Sequence, residues 1–338
     1  MGPPAGCLRR VPTGRRPHVP SNRKAFALCH ADAVRPNCGG VVHGEPAGSA
    51  VSGVPVAADD AGPTALRIIL GGQLRKLREG AGISREAAGD AIRGSHTKIS
   101  RLELGRVRFK DRDVSDLLSL YGIGVGPDRT QLLELARRAN QPGWWQQYGD
   151  VLPHWFETYL GLEPAAATIR NYEMQFVPGL LQTEEYARVV IGLGRAAGSD
   201  GRAVDVRMRR QRLLQSTGGP HLVAVVDEAA LRRPLPGVEA MRRQLRHLAE
   251  MSASPSVQLR VVPFGAGMHP AAGGAFSILG FEDPELPPIV YLEQLTSALY
   301  LDKPADVDRY AEAMNRLCEI STGPDEAPAV LERIGREL

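Results

Sequence analysis

The stretch Ile83-Ser84-Arg85-Glu86-Ala87-Ala88-Gly89-Asp90-Ala91-Ile92-Arg93-Gly94-Ser95-His96-Thr97-Lys98-Ile99-Ser100-Arg101-Leu102-Glu103-Leu104-Gly105 decides the fold. Ser84 is suited to cap a short helix, its hydroxyl taking an orphan backbone N–H. Ala87, Ala88, Ala91 and Ile92 give that helix a small apolar face at helical spacing. Arg93-Gly94 breaks it, and Ser95 caps a second helix in which Ile99 and Leu102 point inward. His96, Thr97, Lys98, Ser100 and Arg101 occupy the opposite face, and Gly105 ends the helix. Two short helices joined by a tight turn, the second polar and basic outside, form the DNA-binding helix-turn-helix pattern.

Working outward, Leu66, Leu70, Leu74 and Leu77 predict an amphipathic helix before the motif, and Val114, Leu117, Leu118 and Tyr121 one after it. Five helices are expected between Pro63 and Gly143, at about 65–80, 85–92, 95–103, 111–121 and 128–139. The window 66–110 holds eleven Lys/Arg against four Asp/Glu, a local positive field. A recognition helix enters the major groove of double-stranded DNA by its first turn. His96, Thr97 and Lys98, just after Ser95, are therefore expected at base edges, and Arg101 at a base or a phosphate. Arg85, opening the preceding helix, is expected to hold a phosphate. Gln73, Ser100 and Arg106 are weaker phosphate candidates.

The order of elements and the run Ile99-Ser100-Arg101-Leu102-Glu103-Leu104-Gly105 resemble the phage-repressor-like (Xre-type) helix-turn-helix domain. Gly89 stands where that family usually has Ala, and Arg93 where it usually has the turn Gly. Gly89 should soften its helix by somewhat under ~1 kcal/mol unless close packing against the next helix needs it. Arg93 argues for a different or longer turn. The resemblance also implies that Arg78 pairs with Glu103. Arg78 follows Leu77 and can reach across the bundle with a bidentate fork, with Arg75, one turn earlier, as its competitor.

Residues 1–63 are rich in Gly, Pro, Ala and Arg and lack periodicity, so they are expected to be a disordered tail. Arg9, Arg10, Arg15, Arg16, Arg23 and Lys24 could add non-specific phosphate contacts. Cys29, His30, Cys38 and His43 match no familiar zinc spacing, and no metal is assigned. The tail also reads like translated upstream DNA, with a start near residues 51–56 leaving a shorter native chain.

No apolar run approaches the ~20 residues of a membrane span, and the N-terminus has no secretory h-region. Four Cys in 338 residues make no disulfide framework. These features point to a cytoplasmic, nucleoid-associated protein without membrane partners. Charge is polarised. Residues 1–50 carry seven basic and two acidic groups, whereas 111–338 carry twenty-three and thirty. A small positive domain on an acidic remainder suits a reader of polyanions.

Gln141-Pro142-Gly143 marks the junction between a DNA-binding domain at 64–140 and a second domain at 141–338. Next come Trp144, Trp145, Tyr148, Trp155, Phe156 and Tyr159 in an otherwise aromatic-poor chain. They read as an interdomain core, or alternatively as a ligand or partner surface formed by Trp144, Trp145, Tyr148, Trp155 and Tyr159. Strands are expected at 167–175, 221–226, 257–263, 275–281, 289–292 and 299–301. Helices are expected at 183–193, 204–214, 238–251, 305–320 and 328–338. The helix at 204–214 is read as carrying Arg207, Arg209, Arg210 and Arg212 outward, on a solvated face or a second DNA contact. The fold class expected is mainly α with α+β: a five-helix repressor-like domain, then an α+β domain with a small antiparallel or mixed sheet.

Trp144-Trp145, the run from Phe176 to Thr183, Val223 to Glu228, and Val261-Val262-Pro263 resemble the C-terminal domain of WhiJ-like actinobacterial regulators. The resemblance implies a regulator, often encoded beside a small BldB-like protein partner and sometimes described as antitoxin-like. It transfers no catalytic activity.

The residues themselves supply no catalytic set. Asp227-Glu228 beside a strand end and His269 in a Gly-rich loop are the nearest approach. That loop lacks the Lys-Ser/Thr of a phosphate cradle, and neither His-Glu-x-x-His nor Gly-x-Ser-x-Gly occurs. No catalytic residue and no cofactor is assigned. Three readings remain: a transcriptional regulator whose acidic domain senses a ligand or protein, an antitoxin-like factor that autoregulates its operon, and a DNA-tethered enzyme. A homodimer is compatible with the first two.

Overall fold

The computed structural model describes residues 62–193, 200–271 and 273–338. Residues 1–61 of the expected tail, with its basic residues and Cys29, His30, Cys38 and His43, lie outside the described residues, and Pro63 already belongs to the first helix.

Five helices come first: α1 (Pro63–Gly80), α2 (Arg85–Ala91), α3 (His96–Glu103), α4 (Asp111–Leu120) and α5 (Pro127–Ala139). Local chemistry sets their ends. Pro63 and Pro127 stand in the first turns of α1 and α5, where a missing N–H costs nothing. Ser84 and Ser95 cap α2 and α3, accepting from the backbone N–H groups of Ala87 and Lys98. The helices bury Leu66, Ile69, Leu70, Leu74, Ile99, Leu102, Val114, Leu117, Leu118 and Leu132 in one core. Full burial of each such side chain is worth about 1.5–3 kcal/mol.

The C-terminal part contains α6 (His154–Leu162), β1 (Thr168–Glu173), α7 (Glu184–Gly192), α8 (Asp200–Gln211), β2 (His221–Asp227), α9 (Glu228–Leu231) and α10 (Val238–Met251). It continues with β3 (Val257–Val262), β4 (Phe276–Gly280), β5 (Ile289–Glu293), β6 (Ala298–Leu301), α11 (Pro304–Ile320) and α12 (Ala327–Glu337). The sheet order is β3-β2-β1-β4-β5-β6. β1, β2 and β3 run parallel, joined by helical crossovers. β4, β5 and β6 add antiparallel strands on the other side of β1. The fold is thus mainly helical with a mixed six-stranded sheet.

One face of the sheet buries Tyr172, Val225, Phe276 and Val290 against Met314 and Leu317 of α11. The other face carries Ile169, Ala224, Leu259 and Tyr291, and its core is continuous with that of α1–α5. Register aligns Asn171, Ser277, Tyr291 and Tyr300 in one row across four strands, and Asn171 Nδ2 donates to Ser277 Oγ at 3.0 Å.

The aromatic run joins the two parts. Tyr159 stacks on Phe156 at 5.5 Å and lies 4.6 Å from the Tyr291 ring. Trp144 packs edge-on against Trp145 and Tyr148. Trp145 and Tyr159 are buried, as the core reading of the run expects. Trp144, Tyr148 and Trp155 are half-buried.

The reading of α8 as an outward arginine face is also corrected. Arg207 and Arg210 turn inward, on the stripe that buries Ala203, Val204 and Val206. Arg210 is 7% exposed and forks onto Glu163 with bonds of 2.8 and 2.7 Å. Arg207 donates to Gln182 Oε1 at 2.7 Å. Of the four, only Arg209 and Arg212 face solvent.

Candidate nucleic-acid interface

The turn between α2 and α3 fixes the motif. Gly89 is where the helices meet: a Cβ there would lie 2.9 Å from the Ser95 carbonyl carbon and 3.1 Å from the His96 nitrogen. Backbone cannot yield as a side-chain tip can, so the close approach requires glycine. The end of α2 then closes in a Schellman motif, with Arg93 N–H donating to Asp90 O at 3.0 Å and Gly94 N–H to Gly89 O at 2.8 Å. Arg93 occupies the left-handed position of that motif with φ 52°. α1, α3 and α4 end in the same motif but place Gly82, Gly105 and Gly122 there. A side chain in this conformation costs roughly 1–2 kcal/mol, and here it aims an exposed arginine from the turn.

α3 is braced from behind. Arg78 Nε lies 2.5 Å from Glu103 Oε1, and Arg78 Nη1 donates to Ile83 O at 2.9 Å. The bond to Glu103 raises Arg78 above its ordinary pKa, against the opposing effect of burial. Arg75, the competitor, pairs instead with Glu79 at 2.9 Å. Arg85 Nε also reaches Glu103 Oε2 at 2.9 Å, while its side chain stays 41% exposed. Arg85 therefore braces α3 and keeps one edge at the surface.

The outer face of α3 presents His96, Thr97 and Arg101 exposed and Ser100 half-buried. Thr97 Oγ1 lies 3.3 Å from His96 Nε2. The Lys98 side chain bends to α4, where its Nζ sits 2.6 Å from Asp113 Oδ2. Lys98 thus starts from a tether, a correction to its expected place at a base edge. Ser95 spends its hydroxyl on the cap. Gln73 is 8% exposed, inside the bundle, which removes it as a phosphate contact.

Beyond α3 the loop is anchored from below. Phe109 is buried. Asn140 clasps its backbone, accepting from Phe109 N at 3.0 Å and donating to Phe109 O. The anchored segment turns Arg106, Arg108 and Lys110 out to solvent. Among the described residues, Arg93, Arg101, Arg106, Arg108 and Lys110 are exposed and no carboxylate pairs with any of them. Arg93, Arg108 and Lys110 were not among the sequence-predicted contacts. The signal lay in the charge excess of window 66–110, once helix ends and acid partners are subtracted.

A helix-turn-helix domain model matches residues 69–133. The model of a domain of unknown function, DUF5753, matches residues 156–333, more than half of the chain. The chain belongs to the DUF5753 family. No curated protein and no solved structure matches it. The helix-turn-helix match, which begins within α1 and ends within α5, supports DNA binding by this part of the chain.

Within the DUF5753 portion, the acid pair near the end of β2 has structural duties. Asp227 caps α9, accepting from Ala229 N at 2.8 Å. Glu228 accepts from Phe264 N at 2.9 Å and pairs with Arg232 at 2.7 Å. His269 lies 3.3 Å from the Tyr172 hydroxyl. Glu173, ending β1, has its carboxyl pushed up to about 8. Burial is the main cause and Glu293 reinforces it, against the opposing bond from Asn171 and the charge of Arg207. Among the described residues no group of His, Cys, Asp and Glu is arranged to hold a metal, and no helix is long and apolar enough to cross a membrane.

Proposed function

We propose that this protein is a sequence-specific transcriptional regulator of the Xre type, whose DUF5753 portion carries the regulatory input. The observation that supports the reading is the division of charge on the motif. The cations behind α3 are tied to Glu103, whereas those around its outer face, Lys98 apart, have no acid partner among the described residues. In this reading α3 lies in the major groove. His96 and Thr97 meet base edges, with Arg101 one turn further along. Arg93 at the turn and Arg106, Arg108 and Lys110 in the anchored loop hold phosphates on either side, with the free edge of Arg85 as a further contact. Lys98 joins only by leaving Asp113.

The test is selection of duplexes from a random pool by the full-length protein. A recurrent enriched motif is expected, and its symmetry would report whether one or two copies bind. A folded protein that retains DNA without enriching any motif would overturn sequence specificity.

A further inference from the structure

We infer that the cleft between the start of α1 and the end of α8 is a binding site for a small phosphorylated ligand. The inference rests on the reading of the DUF5753 portion as the input of a DNA-binding regulator, and it names the chemistry of that input.

The cleft encloses about 560 Å³, within the ~300–1,000 Å³ range of small-molecule sites. Its walls come from both parts of the chain. Pro63 and Leu66 of α1 form one side, and Trp144, Arg209, Arg212 and Thr217 the other. The charge on the second side is available. Arg209 and Arg212 are exposed and have no carboxylate partner among the described residues. The one carboxylate in the lining, Glu163, has both oxygens bonded by Arg210, so its charge is already matched. Arg209 lies over the Trp144 ring, 4.5 Å from its centroid. A guanidinium held over an indole ring can keep N–H donors free for a ligand. That edge matches a phosphate or carboxylate oxygen pair.

The turn after α8 supplies small polar groups rather than bulk. Ser216-Thr217-Gly218-Gly219 lines the cleft, with Gly218 at φ 76° and the Thr217 side chain exposed. Two unpaired arginines beside a hydroxyl and a glycine turn favour a compact dianion over a neutral or cationic ligand. The site is concave, unlike a surface meant for duplex backbone. Its α1 wall belongs to the helix that pairs with Glu103 of α3, so occupancy bears on the DNA-binding domain through a direct wall.

The experiment titrates the full-length protein with inorganic pyrophosphate in the absence of DNA, reading tryptophan fluorescence and heat. Saturable binding with a change in emission is expected, because Trp144 underlies Arg209. R209A/R212A is expected to lower the affinity by at least about tenfold, as befits lost charge-assisted bonds, while melting as the parent does. T217V, an exposed change that leaves folding intact, should weaken binding less. Absence of saturable binding, or equal affinity in R209A/R212A and T217V, overturns the proposal. It is also overturned if anion-free R209A/R212A loses affinity for duplex DNA with a shallower salt dependence, since the arginines would then be DNA contacts. Operator binding is measured separately without anion, so failure of the ligand site and failure of the DNA-binding reading are distinguishable.

Discussion

Two stretches of this chain carry dense arginine on a helix or its ends, and they use it in opposite ways. Around α3, Arg93, Arg101 and Arg106 stand in solvent without acid partners. Along α8, Arg207 and Arg210 are turned inside, Arg210 onto a glutamate that is 1% exposed. The difference is one of phase. Ala203, Val206, Arg207 and Arg210 fall at i, i+3, i+4 and i+7, a single helical stripe, so the arginines share the buried face. On α3 the buried stripe is Ile99, Leu102 and Glu103, and Arg101 falls off it. A basic run is thus a surface only where its phase departs from that of the apolar residues.

The sharpest contrast is in stability. Removing Arg210 leaves Glu163 charged and enclosed, and the loss expected is about 3–5 kcal/mol. Removing Arg101 should change stability by less than about 0.5 kcal/mol. Urea unfolding of R210A and R101A checks both, and similar losses would erase the distinction.

The next effect belongs to Gly89. A methyl there meets the backbone of Ser95 and His96, an overpacking worth about 1–3 kcal/mol against the roughly 1 kcal/mol that Ala gains in helix propensity. G89A should be net less stable and bind DNA more weakly, because α3 is displaced. Thermal melts with a DNA shift assay are the measurement.

Arg93 separates the two uses of arginine within one residue. Relief of its left-handed strain exceeds the flexibility that glycine adds, so R93G should gain about 0.5–1 kcal/mol. The same variant should bind all duplexes more weakly and lower the salt slope by about one. A variant that gains stability with unchanged DNA affinity would remove Arg93 from the interface.

A further expected effect is a pH slope. Glu173 holds its proton in the folded state up to about 8, whereas the unfolded chain loses it near the ordinary carboxylate pKa. The folded state therefore loses stability as pH rises between those values. Melting temperature followed from pH 5 to 8 should fall by that contribution in the parent and less in E173Q.

Much of this was legible in the chain. The five N-terminal helices and six strands lie within a few residues of the expected positions, because capping Ser84 and Ser95, the Pro starts and the Gly ends are local signals. The parallel pairing of β1, β2 and β3 was not legible, since partner choice depends on crossovers that local pattern does not encode. Within the interface, exposure followed from phase, but pairing did not. Nothing in the sequence joins Lys98 to Asp113 or Arg85 to Glu103, fifteen and eighteen positions apart. Gln73 misled because a polar residue on an amphipathic helix is ordinarily outside.

The most direct test of the central claim repeats the random-duplex selection with T97A and R106A. If α3 reads the groove while the anchored loop holds the backbone, T97A changes the preferred base at one position, with about 1–3 kcal/mol of discrimination lost there. R106A leaves the motif unchanged and weakens every sequence alike. A motif that T97A leaves intact and R106A rewrites would contradict the account and move the reading residues from α3 to the loop behind it.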